Sequence, residues 1–146
     1  MAHDTTVDEA AIRSRVNTLV QAIRARDLEG VMSRFAPEVV SFDLGPPLRH
    51  GGGEAFRQHW RALFASWQGE IEYEVRDLDV AADGDVAFSS SLNRMAGTAA
   101  DGRRTERWLR WTACWRRIDG RWLIVHEHVS VPADPRTGKA LFDLRP

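Results

Sequence analysis

Two carboxylates and one histidine carry most of the chemistry this sequence offers. Asp43 ends a short apolar run, Val39-Val40-Ser41-Phe42, and precedes Leu44-Gly45-Pro46-Pro47. A desolvated carboxylate at a strand end can serve as a general base. The same residue can instead cap the Gly-Pro-Pro loop as an ordinary turn aspartate. Glu127 lies between His126 and His128 in an otherwise apolar strand. Turned inward, it is a second carboxylate for acid–base work; otherwise it pairs with Arg107 or Arg110 on the neighbouring strand. His59 falls on the apolar stripe of a helix, either packed as a neutral imidazole or facing a pocket as an assisting acid. The Asn93 amide either bonds a ligand carbonyl or bridges two strands.

Other chemistries find little support. His126 and His128, two residues apart, suggest two ligands of a metal, but metal sites usually take three or four protein ligands. The spacing is not His-Glu-x-x-His, and Gly51-Gly52-Gly53 lacks the lysine and strand context of a phosphate loop. Ser89-Ser90-Ser91 has no base nearby in sequence. Neither a metal nor a cofactor is expected.

The elements that must position these groups are legible from periodicity. Ile12, Val16, Leu19, Val20 and Ile23 form one helical stripe, with Asp8 as a candidate cap. A second short helix starts at Asp27 and stops at Pro37. A strand spans Val39 to Phe42. The third helix carries Phe56, His59, Trp60, Leu63, Phe64 and Trp67 on one side. After Gly69 the period becomes two. Asp83-Gly84, Asp101-Gly102 and Asp119-Gly120 are hairpin turns that split the rest into four long strands. The last of these runs from Arg121 to Val131, and an irregular tail follows. Long antiparallel strands must twist, and helices packed on the concave face leave a conical cavity.

The 146 residues suit one domain, residues 1–146 with a core of about 8–132. A net charge of −1 gives no support for a nucleic-acid or anionic-membrane partner. The single cysteine, Cys114, excludes an internal disulfide. Met1-Ala2-His3-Asp4 has no basic and apolar leader, and no apolar run spans a bilayer, so a cytoplasmic protein is expected. Six tryptophans either line a pocket or fill the core. Apolar residues on both faces of the last strands suggest a homodimer through the convex face.

Two segments resemble a known superfamily. Phe35-Ala36-Pro37-Glu38-Val39-Val40-Ser41-Phe42-Asp43 is similar to the segment leading into the first strand of ketosteroid-isomerase-like proteins. Trp115 through Ser130, with His126-Glu127-His128, resembles the closing hairpin of SnoaL-like domains and of calcium/calmodulin-dependent kinase association domains. The resemblance covers residues 8–132 or so. It implies an α+β, cystatin-like or nuclear transport factor 2-like cone: three N-terminal helices on a strongly curved antiparallel sheet enclosing a pocket.

The resemblance implies Asp43 as the general base. It places Val125, Glu127 and Val129 inside, with Arg107, Leu109, Trp111, Ala113 and Trp115 on the next strand and Ser89, Ser91, Asn93 and Met95 beyond. A one-residue bulge would reverse such an assignment. The oxyanion donors of ketosteroid isomerase fall here on Leu19 and about Ala113, which cannot donate, so that activity itself is not expected. The catalytic candidates are therefore Asp43, Glu127 and His59. The substrate-binding candidates are Asn93, Trp60, Arg107, Trp111, Trp115 and Val129. The expected ligand is a small, apolar, carbonyl-bearing molecule undergoing isomerisation, dehydration or cyclisation. The alternative is a non-catalytic binding or oligomerisation module of the same fold.

Overall fold

The structure, a computed structural model, describes residues 4–146; the leader expectation for Met1-Ala2-His3 lies outside the described residues. Helix α1 spans Thr5–Arg24 and α2 spans Leu28–Met32. Strands β1 (Phe35–Phe42) and β2 (His50–Gly51) follow, then helix α3 (Gly53–Ala65). Strands β3 (Trp67–Asp83), β4 (Val86–Ala99), β5 (Arg104–Ile118) and β6 (Arg121–Ser130) complete the fold. No described helix is long and apolar enough to cross a membrane.

The helical stripe of α1 is buried as its spacing requires, with Ile12, Val16 and Ile23 at 1% exposure or less. Its cap is Asp4, which accepts from the Thr6 and Val7 amides, rather than Asp8. Asp8 sits one turn in, buried, and accepts from Arg117 Nη1 at 2.7 Å. Arginines tie the end of α1 to the sheet: Arg24 donates to the Tyr73 carbonyl, and Arg26 to those of Phe64, Trp67 and Gly69.

The six strands form one open sheet in the order β2-β1-β6-β5-β4-β3. Three expectations need correction. The three N-terminal helices implied by the resemblance are not consecutive: among the described residues two precede the first strand, and the third follows it, as the periodicity has it, between β2 and β3. The sheet is not wholly antiparallel, because β1 runs parallel to β6. Finally, Pro37 does not end α2. It lies within β1, where the register with β6 shifts between Phe35 and Val40, so its missing N–H costs no ladder bond. The three Asp-Gly turns are present, with Gly84, Gly102 and Gly120 at positive φ.

Bulges set the curvature. In β3 the register with β4 shifts between Gln68 and Ile71 and between Arg76 and Asp79. Bulges bend a strand and increase its twist. Opposite the first shift stands Gly97, with φ of 155°. A Cβ there would meet the Glu70 carbonyl at 2.9 Å and the Trp67 ring at 3.1 Å. This close approach brings β3 and β4 together where they border the pocket. A third bulge lies in β6, where Cys114 faces His126 but Trp115 faces Ile124. The extra residue, Val125, loses its predicted inward place, and Ile124 and Trp122 are buried instead. The reversal stays on the near side of the bulge, so Glu127 and Val129 keep the inward face.

Gly97→Ala is therefore expected to destabilise the fold by about 1–3 kcal/mol, the usual cost of overpacking. An unchanged urea midpoint would contradict this account of the bulge.

Candidate functional site

The space between α3 and the concave sheet holds two adjoining cavities. A vestibule of about 370 Å³ is bordered by Asp43, His59, Leu63, Met95, Arg107 and Leu109. Deeper lies a cavity of about 60 Å³, bordered by Tyr73, Trp60, Trp111, Glu127 and Val129 among others. Asp43, Leu63, Met95 and Leu109 belong to both. Asp43 also borders an outer cleft of about 630 Å³ along the Gly45-Pro46-Pro47 loop. It thus stands where the three spaces meet.

Asp43 is inward but not alone. It directly follows β1, and its Oδ2 lies 2.5 Å from His59 Nε2 on α3. Its Oδ1 accepts from the Leu44 amide at 2.6 Å. Burial pushes the carboxyl up. The His59 and Leu44 hydrogen bonds and the nearby imidazoles outweigh it, so Asp43 sits below the ordinary carboxylate value. His59 moves the other way: its bond to Asp43 raises it against the opposing effect of burial. The expectation of an Asp43 made basic by desolvation is corrected here, because the histidine supplies a counter-charge. Asp43 orients and charges; His59 is the group whose proton affinity is enhanced. The spacing of the two in sequence held no signal of this contact. His50, on β2, packs against His59 with ring centroids 4.5 Å apart. Burial, then the neighbouring His59, depresses its pKa.

Glu127 is 4% exposed at the deep end. The expected ion pair with Arg107 or Arg110 does not form. Ser41 Oγ donates to Oε2 at 2.8 Å and Trp111 Nε1 donates to Oε1 at 3.0 Å. Two neutral donors do not offset full burial, reinforced by the charge of Asp43, and the carboxyl is raised to about 7. Glu127 therefore changes charge near neutrality.

The other candidates divide. Trp60, Trp111 and Val129 border the deep cavity and Arg107 borders the vestibule. Trp60 Nε1 is buried without a partner among the described residues. Trp115 does not border either space. It is 1% exposed and donates to Ser89 Oγ at 2.9 Å, a core residue with its polar atom satisfied. Asn93 is a positioning residue rather than a lining one: it accepts from Ser91 and donates to the Tyr73 hydroxyl at 2.8 Å. Its bond leaves the Tyr73 proton free for another acceptor. Burial raises Tyr73 and keeps it a neutral donor at the deep cavity. Sequence reading missed Tyr73 as a site residue, because it alternates with Glu72 and Glu74 like any strand aromatic. His126 and His128 lie on the outer face, where His126 Nδ1 meets the Val40 carbonyl and both rings pack edge-on against Phe42.

Glu127 predicts a pH effect on stability. Its folded pKa lies above its unfolded value near 4.5. The folded state therefore holds an extra proton between those values, and its contribution is lost as pH rises from about 4.5 through 7. Glu127→Gln removes this loss. The variant is expected to gain thermal stability relative to the parent between pH 5 and pH 8, and a pH-independent difference in Tm would contradict the burial account.

Comparison with known proteins accords with this geometry. The model of the SnoaL-like domain family matches residues 12–134. No curated protein matches. The chain is 35% identical to an NTF2-like protein of unknown function from Pseudomonas putida KT2440, over 99% of this chain and 100% of that one, with a TM-score of 0.90. A ketosteroid isomerase-like protein from Erwinia carotovora atroseptica SCRI1043 shares the fold at 20% identity, over 84% and 95% of the two chains, with a TM-score of 0.73. A cystatin-like protein of unknown function from Nostoc punctiforme PCC 73102 does so at 18% identity, over 90% and 94%, with a TM-score of 0.72. With its helices, its open curved sheet and the matched segment covering most of its length, this chain belongs to the SnoaL-like domain family of the NTF2-like superfamily.

Proposed function

We propose that this protein is an enzyme that moves protons on a small, largely apolar, carbonyl-bearing molecule, using its own side chains and no cofactor. The observation that carries this reading is the Asp43–His59 pair at 2.5 Å, with His59 on the vestibule and Asp43 on both the vestibule and the deep cavity. With Nε2 committed to Asp43, Nδ1 is the nitrogen that can take up a proton. Asp43 stabilises the imidazolium that forms, as the aspartate of a catalytic triad does. A C–H bond beside the carbonyl breaks, its proton passes to His59, and its electron pair moves onto the carbonyl oxygen. Tyr73, held by Asn93 with its own proton free, is the donor suited to that oxygen. Glu127 lies at the same cavity and is half-protonated near neutrality, a state that lets it return a proton elsewhere on the molecule.

This assignment replaces the donors expected from ketosteroid isomerase with one from a different element. It fits isomerisation, dehydration or aldol-type cyclisation, which share the first step.

We also propose that a second copy covers the outer sheet face. Phe42, Val86 and Phe88 alternate with buried neighbours and are 37%, 52% and 56% exposed. Light scattering at micromolar concentration should give the mass of two chains, and Phe88→Glu should give one. A single-chain mass for the parent protein would overturn this.

The proton-transfer reading is tested by incubating a panel of small apolar ketones with the protein in D₂O. Protein-dependent exchange of α-protons, followed by NMR, is expected for at least one ketone. His59→Gln should slow it by about 10²–10⁴-fold, the usual contribution of a general base. Exchange at the parent rate in His59→Gln, or none with ketones shown to bind, would remove the reading.

A further inference from the structure

The vestibule has a charged rim whose balance is unequal. Five arginines cluster where β3, β4, β5 and the tail come together. Arg94 lies within 4 Å of Glu72 and Glu106, Arg103 of Asp101, Arg104 of Glu72 and Arg145 of Glu106. Arg107 has no carboxylate partner among the described residues, and of the five it and Arg103 border the vestibule. Arg103 is matched there by Asp101 and the Asp43 carboxylate by its bond to His59, so Arg107 is the one guanidinium bordering the vestibule that has no carboxylate partner among the described residues.

The tail holds that charge in place. Its turn closes through the Asp134 amide to the Lys139 carbonyl and the Leu141 amide to the Pro132 carbonyl, each at 2.8 Å. It then returns to β5, where Arg145 pairs with Glu106 and the Phe142 ring lies 4.6 Å from the Arg107 guanidinium carbon. A guanidinium held over a ring face by the cation–π attraction keeps N–H donors for another acceptor, and such donors can bind a carboxylate through two hydrogen bonds.

We propose that the ligand of this site is an apolar keto acid whose carboxylate is bound by Arg107. The proposal rests on the proton-transfer reading and names its substrate class. One uncompensated cation suits a monoanion. The distance is set by β5: Arg107, Leu109 and Trp111 share the inward face, and Leu109 and Trp111 border the deep cavity. Inward neighbours on a strand are about 7 Å apart, so the rim lies about 7–13 Å from the deep cavity. A carboxylate at Arg107 thus places a carbonyl beside Tyr73 when a small, largely hydrocarbon framework separates the two groups. Leu63, Met95 and Leu109 supply the apolar wall for that framework.

The test compares 2-naphthoate with 2-naphthamide, which share shape but not charge, by calorimetry at pH 7.5 and low salt. The acid is expected to bind at least tenfold more tightly. Arg107→Gln should bring the two within threefold by weakening the acid alone, and Arg107→Lys should retain part of the preference. Phe142→Ala should lower the preference while leaving amide binding unchanged. Arg103→Gln should shift acid affinity less than threefold. Equal binding of acid and amide by the parent protein, or a preference that survives Arg107→Gln, would overturn the proposal. Either result leaves the proton-transfer reading standing, since neutral probes still enter. Failure of both probes to bind would also overturn the proposal, and the α-proton exchange assay would then decide the proton-transfer reading by itself.

Discussion

A carboxylate cannot be carried into an apolar wall without a partner, and the site is organised around that constraint. Asp43 is held at the end of β1 by β6 on one side and faces α3 on the other. His59 is the partner, and its bond to Asp43 requires the chain 44–49 to return to the sheet before α3 begins. Two residues of that return, His50 and Gly51, pair with Val40 and Ser41 as β2. This short strand fixes the start of α3, and hence the place of His59, sixteen residues from Asp43 in sequence but beside it in space.

The second carboxylate has the opposite solution. Glu127 receives two neutral donors and, among the described residues, no ion-pair partner, so it keeps its proton up to about neutrality. Two acidic groups in one pocket are thereby pushed apart, one ionised and one on the point of ionising. Such divergence is how a single pocket holds both a proton acceptor and a proton donor. The sheet makes it possible through a single inserted residue, Val125, which leaves Glu127 inward while turning Trp122 and Ile124 inward on the other side of the bulge.

Much of the scaffold was legible because its signals are local. The α1 stripe and the three Asp-Gly turns each follow from a fixed period or a turn residue, and each is where the spacing puts it; the buried row Ser89, Ser91, Asn93 and Met95 is where the resemblance, carried along the strand by alternation, puts it. The site was legible only in its membership. Asp43, Glu127 and His59 were visible as groups out of place in apolar surroundings. Their roles were not, because the Asp43–His59 contact joins a strand end to a helix across a loop of irregular structure, and no period reports such a contact. Tyr73 and the core place of Trp115 were hidden for a related reason: in an inward row, only the depth along the strand tells a lining residue from a filler. Val125 was misplaced because a bulge leaves no mark in the aliphatic run Leu123-Ile124-Val125.

The central claim is that Asp43 raises the proton affinity of His59. It is tested most directly by following the His59 ring through a pH titration by NMR, its resonance assigned by its loss in His59→Gln. The structure predicts a pKa above the ordinary 6.5 in the parent protein, and a fall in Asp43→Asn, where the amide no longer stabilises the imidazolium. A His59 that titrates at or below 6.5, or one indifferent to Asp43→Asn, would contradict the account.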